Sequence, residues 1–139
     1  MNADEALERR RETACWLVIA GDDARVAHAC LQMESPVIGV AAFHCQQAAE
    51  KILKGLLIIA GADFRMTHDL DRLATITLPY YPQSQDLVEV LRPLSSWGIA
   101  YRYPGPEAIP EPLPASGEVE RVLDTIDVPA GRLPALTIG

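Results

Sequence analysis

Apolar residues recur at helical spacing along the N-terminal part of the chain. No proline occurs between Ala3 and Met33. The apolar or small residues that recur there at three-, four- and seven-residue steps are Leu7, Ala14, Leu17, Gly21, Ala24 and Leu31. One face of a long helix has this spacing. The pattern therefore predicts a first helix of about thirty residues, with this stripe facing inward.

A second helix is predicted to begin at Ser35-Pro36, where serine can cap the helix and proline occupies its first position. Gly61 is the predicted C-terminal stop, because glycine adopts the left-handed conformation that ends many helices. Glu50 and Lys54 are spaced for an ion pair on one side of this helix. Its apolar stripe consists of Ile38, Ala41, Cys45, Ala48, Ile52, Leu56 and Ile59.

Three further helices are predicted after residue 61. Thr67 is the predicted N-cap of a short third helix that ends before Pro79. A fourth keeps helical spacing from Leu87 to Tyr101, with a kink or a delayed start at Pro93. The last begins at Ser116 and stops at Pro129. Its predicted buried residues are Val119, Val122, Leu123 and Ile126.

The chain is predicted to be all-α, an up-and-down four-helix bundle with an additional short C-terminal helix. It contains no sustained period-two alternation and no Asn-Gly or Asp-Gly hairpin turn. Five of the eleven prolines lie in residues 104–114, which predicts an irregular loop there. We expect one domain over residues 1–139, with a core of about 3–128 and a tail at 129–139.

Composition and charge limit the range of functions. The formal net charge is -7, so any nucleic-acid role must depend on a local site rather than on overall attraction. Cys15, Cys30 and Cys45 are about fifteen residues apart and form no C-x-x-C pair, so they are expected to be reduced core residues of a cytoplasmic protein. The most apolar run is far shorter than a membrane span, and no metal-site, P-loop or dinucleotide motif is present. We expect no metal, no cofactor and no membrane association.

Helix geometry places His44, Gln47 and Lys51 on one face of the second helix, beside its apolar stripe. Such a row of donors could contact a phosphate or a base. The plainer interpretation is that His44 and Gln47 form inter-helix hydrogen bonds while Lys51 reaches solvent.

Arg102 forms a second candidate site, because it lies between Tyr101 and Tyr103 at the end of the fourth helix. A guanidinium flanked by phenol rings suits a phosphate or a stacked base, and it could equally neutralise helix C-terminal carbonyls. Asp22 and Asp23 lie together on the first helix, so one carboxylate should fall near the buried side, with Arg102 as a candidate partner.

The other two histidines are expected to have structural roles. His68 follows the predicted cap at Thr67 and is interpreted as a polar residue of the first turn of the third helix. His28 lies near the apolar stripe of the first helix and could be a core histidine.

Several motifs together resemble the prokaryotic HEPN domain over about residues 10–127. They are Phe43-His44-Cys45-Gln46-Gln47-Ala48-Ala49-Glu50-Lys51, Leu53-Lys54, Leu57, Gly61, Thr67-His68-Asp69-Leu70 and Arg102-Tyr103-Pro104. Upstream, Trp16-Leu17 with Ala20, Asp23 and Ala27 is similar to the first-helix pattern of that family.

The resemblance implies a helical bundle, commonly dimeric, in a family named for nucleotide binding. Many members are encoded beside a minimal nucleotidyltransferase, some as toxin-antitoxin pairs. The toxic members are metal-independent ribonucleases with an R-x(4-6)-H motif. Arg102 matches its arginine, but residues 103–112 contain no histidine.

We therefore expect a cytoplasmic, non-enzymatic homodimer that binds nucleotide or RNA, paired with a nucleotidyltransferase. Its expected binding residues are Arg102, Tyr103, His44, Gln47 and Lys51, with Asp23 and His68 as structural polar residues. One alternative is a metal-independent ribonuclease that uses Arg102 with His44 or His68 as the base. The other is a purely structural docking partner of the nucleotidyltransferase.

Overall fold

The computed structural model describes residues 2–64, 67–100 and 113–138, and these ranges contain six α-helices and no strand. The helices are α1 (Ala3–Gln32), α2 (Ile38–Ala60), α3 (Leu70–Thr77), α4 (Gln85–Leu91), α5 (Ser95–Ala100) and α6 (Ser116–Ile138). Short 3₁₀ turns precede α4 and separate it from α5. The all-α prediction is confirmed. No helix in the described part of the chain is long and apolar enough to cross a bilayer.

An antiparallel hairpin of α1 and α2 is the largest packed unit. Asn2 starts α1, because its side chain accepts a hydrogen bond from the Glu5 amide while the Glu5 carboxylate accepts one from the Asn2 amide. Thr13 donates to the Gly55 carbonyl at 3.0 Å, and a Cβ built on Gly55 would lie only 3.2 Å from Thr13 Cγ2. The two backbones therefore approach closely along this contact.

The inward face of α1 differs from the prediction. Leu7 and Ala14 are exposed, and the buried residues of the helix are Thr13, Ala20, Ala24 and Ala27. Because α1 carries apolar residues on both sides, periodicity alone could not select the face. Small side chains face α2, since only they permit the close approach, and the larger Val18 and Val26 remain outside.

Helix α2 lies at the centre of the fold and is buried over most of its circumference. Ala41, Cys45, Ala48, Ile52 and Leu56 of its predicted stripe are all buried. Its predicted end is confirmed, because Gly61 has φ 69° and donates its amide to the Ile58 carbonyl. Its predicted start is wrong. The N-cap is Val37, whose amide still bonds the Cys30 carbonyl of α1, so Ser35 and Pro36 belong to the connecting turn.

The shorter helices pack against this hairpin. Asp69, and not Thr67, caps α3, since its carboxylate accepts the Asp71 amide at 3.0 Å, whereas Thr67 bonds the amide of Asp69. Pro93 breaks the predicted fourth helix into α4 and α5 through a 3₁₀ turn, as expected for a residue without an amide hydrogen.

Helix α6 begins at Ser116 as predicted and buries Val119, Val122, Leu123 and Ile126. The predicted stop at Pro129 is wrong, because the helix continues to Ile138 through the expected tail. Pro129 and Pro134 therefore lie within α6. Of the predicted proline-rich loop, residues 104–112 lie outside the described residues, and 113–115 are irregular.

Candidate functional site

Six polar side chains of α2 form a continuous strip along one side of the helix, which we call the polar band. It consists of His44, Gln46, Gln47, Glu50, Lys51 and Lys54. The spacing of three and four residues places them on adjoining rows. Gln46, Glu50 and Lys54 are buried, and the other three are half-buried. Helix geometry thus predicted the shared face of His44, Gln47 and Lys51, but it did not reveal how deeply the neighbouring charges are buried.

Asp23 of α1 connects the two helices at one edge of the polar band. Its side chain is only 13% exposed, and both of its oxygens are occupied. His44 Nδ1 donates to Oδ1 at 2.9 Å, and Lys51 Nζ donates to Oδ2. Since an ionised carboxylate can only accept, Nδ1 carries the imidazole proton and Nε2 remains for a ligand.

This arrangement corrects one expectation, because Lys51 is held by Asp23 rather than extending to solvent. The described partners of Asp23 are His44 and Lys51. Arg102 and Tyr103 lie outside the described residues. Asp22 is exposed, as expected for the other member of the acidic pair.

Glu50 forms a second buried cluster in the polar band. Its side chain is 6% exposed, and Oε1 accepts hydrogen bonds from Lys54 Nζ at 2.9 Å and from His68 Nδ1 at 2.5 Å. The His68 side chain is 77% exposed and lies before the Asp69 N-cap, so it is not a first-turn residue of α3. It instead ties the segment before α3 to α2. The Lys54 ammonium also lies 5.8 Å from the centroid of the Trp16 ring on α1.

The ion pairs of the polar band are internally neutralised. Asp23 and Glu50 each face one lysine, and each accepts a hydrogen bond from one histidine. Gln47 Nε2 donates to Gln46 Oε1 at 2.7 Å. Among the described residues, no buried side-chain nitrogen or oxygen lacks a partner. The band therefore offers hydrogen-bond donors and acceptors at short range rather than a strong positive field.

Two other sequence predictions concern side chains outside the band. His28 is not a core histidine, because its half-exposed ring donates from Nε2 to Asp127 of α6 at 3.0 Å. Of the three free cysteines only Cys45 belongs to the core, and burial, with a smaller effect of Asp127, raises its pKa to about 12. Cys15, which was also expected in the core, is exposed on α1.

In the described ranges, no three or more histidine, cysteine or acidic side chains converge as a metal site.

A comparison with protein families identifies the chain. The model of the HEPN domain matches residues 13–127, which is most of the sequence. The chain belongs to the HEPN domain family. HEPN domains are in general associated with nucleotides and RNA. No curated protein and no solved structure matches the chain significantly.

The family pattern explains the face of α1 better than the apolar periodicity does. In this HEPN domain the first-helix residues Trp16, Leu17, Ala20, Asp23 and Ala27 are all buried or half-buried, and Asp23 contacts α2. The signal that could have located the site was therefore a polar residue, Asp23, among small and apolar residues on the inward face.

Proposed function

We propose that this HEPN domain binds a nucleotide or RNA through the polar band and Asp23, without catalysing a reaction itself. The observation that carries the proposal is the joint engagement of one carboxylate by His44 and Lys51 at a half-buried position between two helices. Partly accessible polar clusters of this kind are better suited to recognition than to packing alone, because burial of charge has a high desolvation cost.

The chemistry of the cluster fits both parts of a nucleotide. Lys51 supplies donors suited to phosphate oxygens, whereas His44 Nε2 can accept from a ribose hydroxyl or a base edge. The amide of Gln47 can both donate to and accept from a base edge. Arg102 and Tyr103 are included in the proposed site through the family resemblance, where an arginine would add bidentate contacts to phosphate.

The negative net charge of the chain affects how RNA binding should depend on salt. With a net charge of -7 and lysines that already face carboxylates, binding should depend on local hydrogen bonds. The logarithm of the binding constant should therefore fall with the logarithm of salt concentration at a slope of about one or two. Proteins that contact many phosphates have slopes several times steeper.

The direct test is fluorescence anisotropy with a short labelled single-stranded RNA, together with calorimetry using ATP. We expect Lys51→Met, His44→Ala and Arg102→Ala each to weaken binding by about tenfold, a typical loss for a charged hydrogen bond. Arg72→Ala, an exposed substitution on α3, is the control and should leave affinity unchanged. Unchanged affinity in all three site variants would show that the site is elsewhere.

We also propose that the chain works in the cytoplasm as a homodimer with a minimal nucleotidyltransferase partner in a toxin-antitoxin-like system. The family resemblance supports this part. Co-expression with the product of the adjacent open reading frame, followed by size-exclusion chromatography, tests it. A stable complex without any affinity for ATP or RNA would favour the purely structural docking role.

A metal-independent ribonuclease is the second candidate, and the orientation of His44 favours it. A histidine whose Nδ1 is held by a carboxylate presents Nε2 as a general base. We expect no cleavage of single-stranded RNA in EDTA, because no histidine follows Arg102 at the family spacing. Robust cleavage that His44→Ala abolishes would replace the binding proposal with this one.

A further inference from the structure

The face of α1 that points away from α2 is unusually apolar for an exposed surface. Of the ten large hydrophobic residues that are exposed in the described chain, four lie within α1: Leu7, Val18, Ile19 and Val26. Val18 is 65% exposed, and Cys15 on the preceding turn is also exposed. The helix is about 45 Å long, so this face is an extended stripe.

Charged residues interrupt the stripe in a particular order. Glu8 and Arg11 lie in its N-terminal half, and Asp22 and Arg25 lie in its C-terminal half. All four are exposed. Within one molecule Arg25 lies 3.7 Å from Asp22, a solvent-exposed pair that contributes little and can exchange partners easily.

The stripe is complementary to the same stripe of a second α1 that packs antiparallel to it. The two-fold axis that relates the two copies then crosses each helix midway between Cys15 and Val18. A two-fold axis makes the contacts reciprocal, so each pair occurs twice. The opposed pairs are Leu7 with Val26, Glu8 with Arg25, Arg11 with Asp22, Ala14 with Ile19, and Cys15 with Val18. Every charge meets an opposite charge, and every apolar residue meets an apolar or small one.

Neighbouring registers lose this complementarity. A shift of about one turn in one direction places Val26 opposite Arg11 and Cys15 opposite Asp22. A similar shift in the other direction places Glu8 opposite Asp22, which opposes two like charges. The pattern therefore specifies one register.

We propose that the outer face of α1, from Leu7 to Val26, is the interface of a two-fold homodimer of this chain. The inference rests on the proposed homodimer and adds the surface and register. The occupant is a second copy, because both the charges and the apolar residues on this helix complement the same helix reversed. About 30 Å of helix takes part, enough for near-antiparallel packing over five turns.

This interface leaves the polar band free. Asp23 points toward His44 and Lys51 on α2, whereas Asp22 points outward into the proposed interface. Dimerisation and ligand binding can therefore be altered separately.

The register can be tested by reversing the charges of one proposed ion pair, Arg11 with Asp22. Sedimentation velocity over a range of concentrations then gives the dissociation constant of the dimer for each variant. Arg11→Glu turns two ion pairs of the dimer into two like-charge contacts, and the dissociation constant should rise by about tenfold or more. Asp22→Arg should have the same effect. The double variant restores opposite charges with reversed polarity, and its dissociation constant should return to within about threefold of the original. Arg72→Glu is the matched control and should change nothing.

Chemical cross-linking provides a second measurement in a Cys30→Ser background. A short bis-maleimide should join two chains through Cys15, which lies close to the proposed axis, whereas Cys45 is buried. A Cys15→Ser/Arg72→Cys variant should give no covalent dimer.

Failure of the proposed homodimer can be distinguished from failure of the α1 interface. A wild-type chain that stays monomeric at about 100 μM, far above the dissociation constants of stable complexes, would overturn the homodimer and this interface together. A dimer that ignores both charge reversals, or that fails to cross-link at Cys15, would overturn the α1 interface alone.

Discussion

Asp23 of α1 and Lys51 of α2 form an ion pair across the main helix contact, and the second oxygen of the same carboxylate accepts a hydrogen bond from His44. The pair is largely shielded from solvent, so each charge depends on the other for compensation. The two residues therefore couple the stability of the helical hairpin to the integrity of the proposed binding site.

Removal of the Asp23 charge should destabilise the fold. Asp23→Asn leaves the Lys51 ammonium without its counter-charge, and we expect the free energy of unfolding to fall by about 2–4 kcal/mol. Urea denaturation measures this. Asp63→Asn, an exposed position just after α2, is the matched control and should change stability by less than about 0.5 kcal/mol. An Asp23→Asn/Lys51→Met double variant should recover much of the loss, because no unpaired charge remains.

The Glu50 cluster should have a similar role at the other edge of the polar band. Glu50→Gln removes the buried charge that accepts from Lys54 and His68, so we expect a loss of about 2–3 kcal/mol in the free energy of unfolding. His68→Ala should cost less than about 1 kcal/mol, since its side chain is mostly exposed. Equal losses in the two variants would contradict this account.

The close approach of α1 and α2 can be tested at two glycines. Gly55→Val adds a branched side chain where even a Cβ would lie 3.2 Å from Thr13 Cγ2, and we expect a loss of about 1–3 kcal/mol in the free energy of unfolding. Gly21→Ala is the control, because a Cβ there meets no atom within 4 Å. It should stabilise α1 by about 1 kcal/mol through helix propensity. A neutral Gly55→Val would indicate looser packing.

Burial of Cys45 should make the fold sensitive to alkali. Burial raises the pKa of this thiol to about 12 from 9.0, so the unfolded chain loses the thiol proton first as the pH rises. The stabilising contribution is complete below pH 9.0 and is lost as the pH rises toward 12, at up to about 1.4 kcal/mol per pH unit. Denaturation series between these limits should give a shallower decline for Cys45→Ala. Burial raises the pKa of Tyr81 as well, which adds a loss of the same sign.

Local signals in the sequence determined much of the helical organisation. The stripe of α2, the stop at Gly61 and the break at Pro93 all follow from residues within a few positions of the feature, because periodicity and backbone restrictions act over short range. The same helical geometry placed His44, Gln47 and Lys51 on one face. The family motifs further indicated the importance of Asp23 and Glu50-Lys51.

Only the tertiary structure decided which face of α1 is inside and what the polar residues contact. Helix α1 has apolar residues on both faces, and the choice depended on how closely it could approach α2 at Gly55. The antiparallel alignment of the two helices then brought Asp23 to His44 and Lys51, which are 21 and 28 positions away. The segment before α3 brought His68 to Glu50 in the same way. Such pairings depend on the packing of separate elements, and no short-range pattern in the chain encodes their alignment.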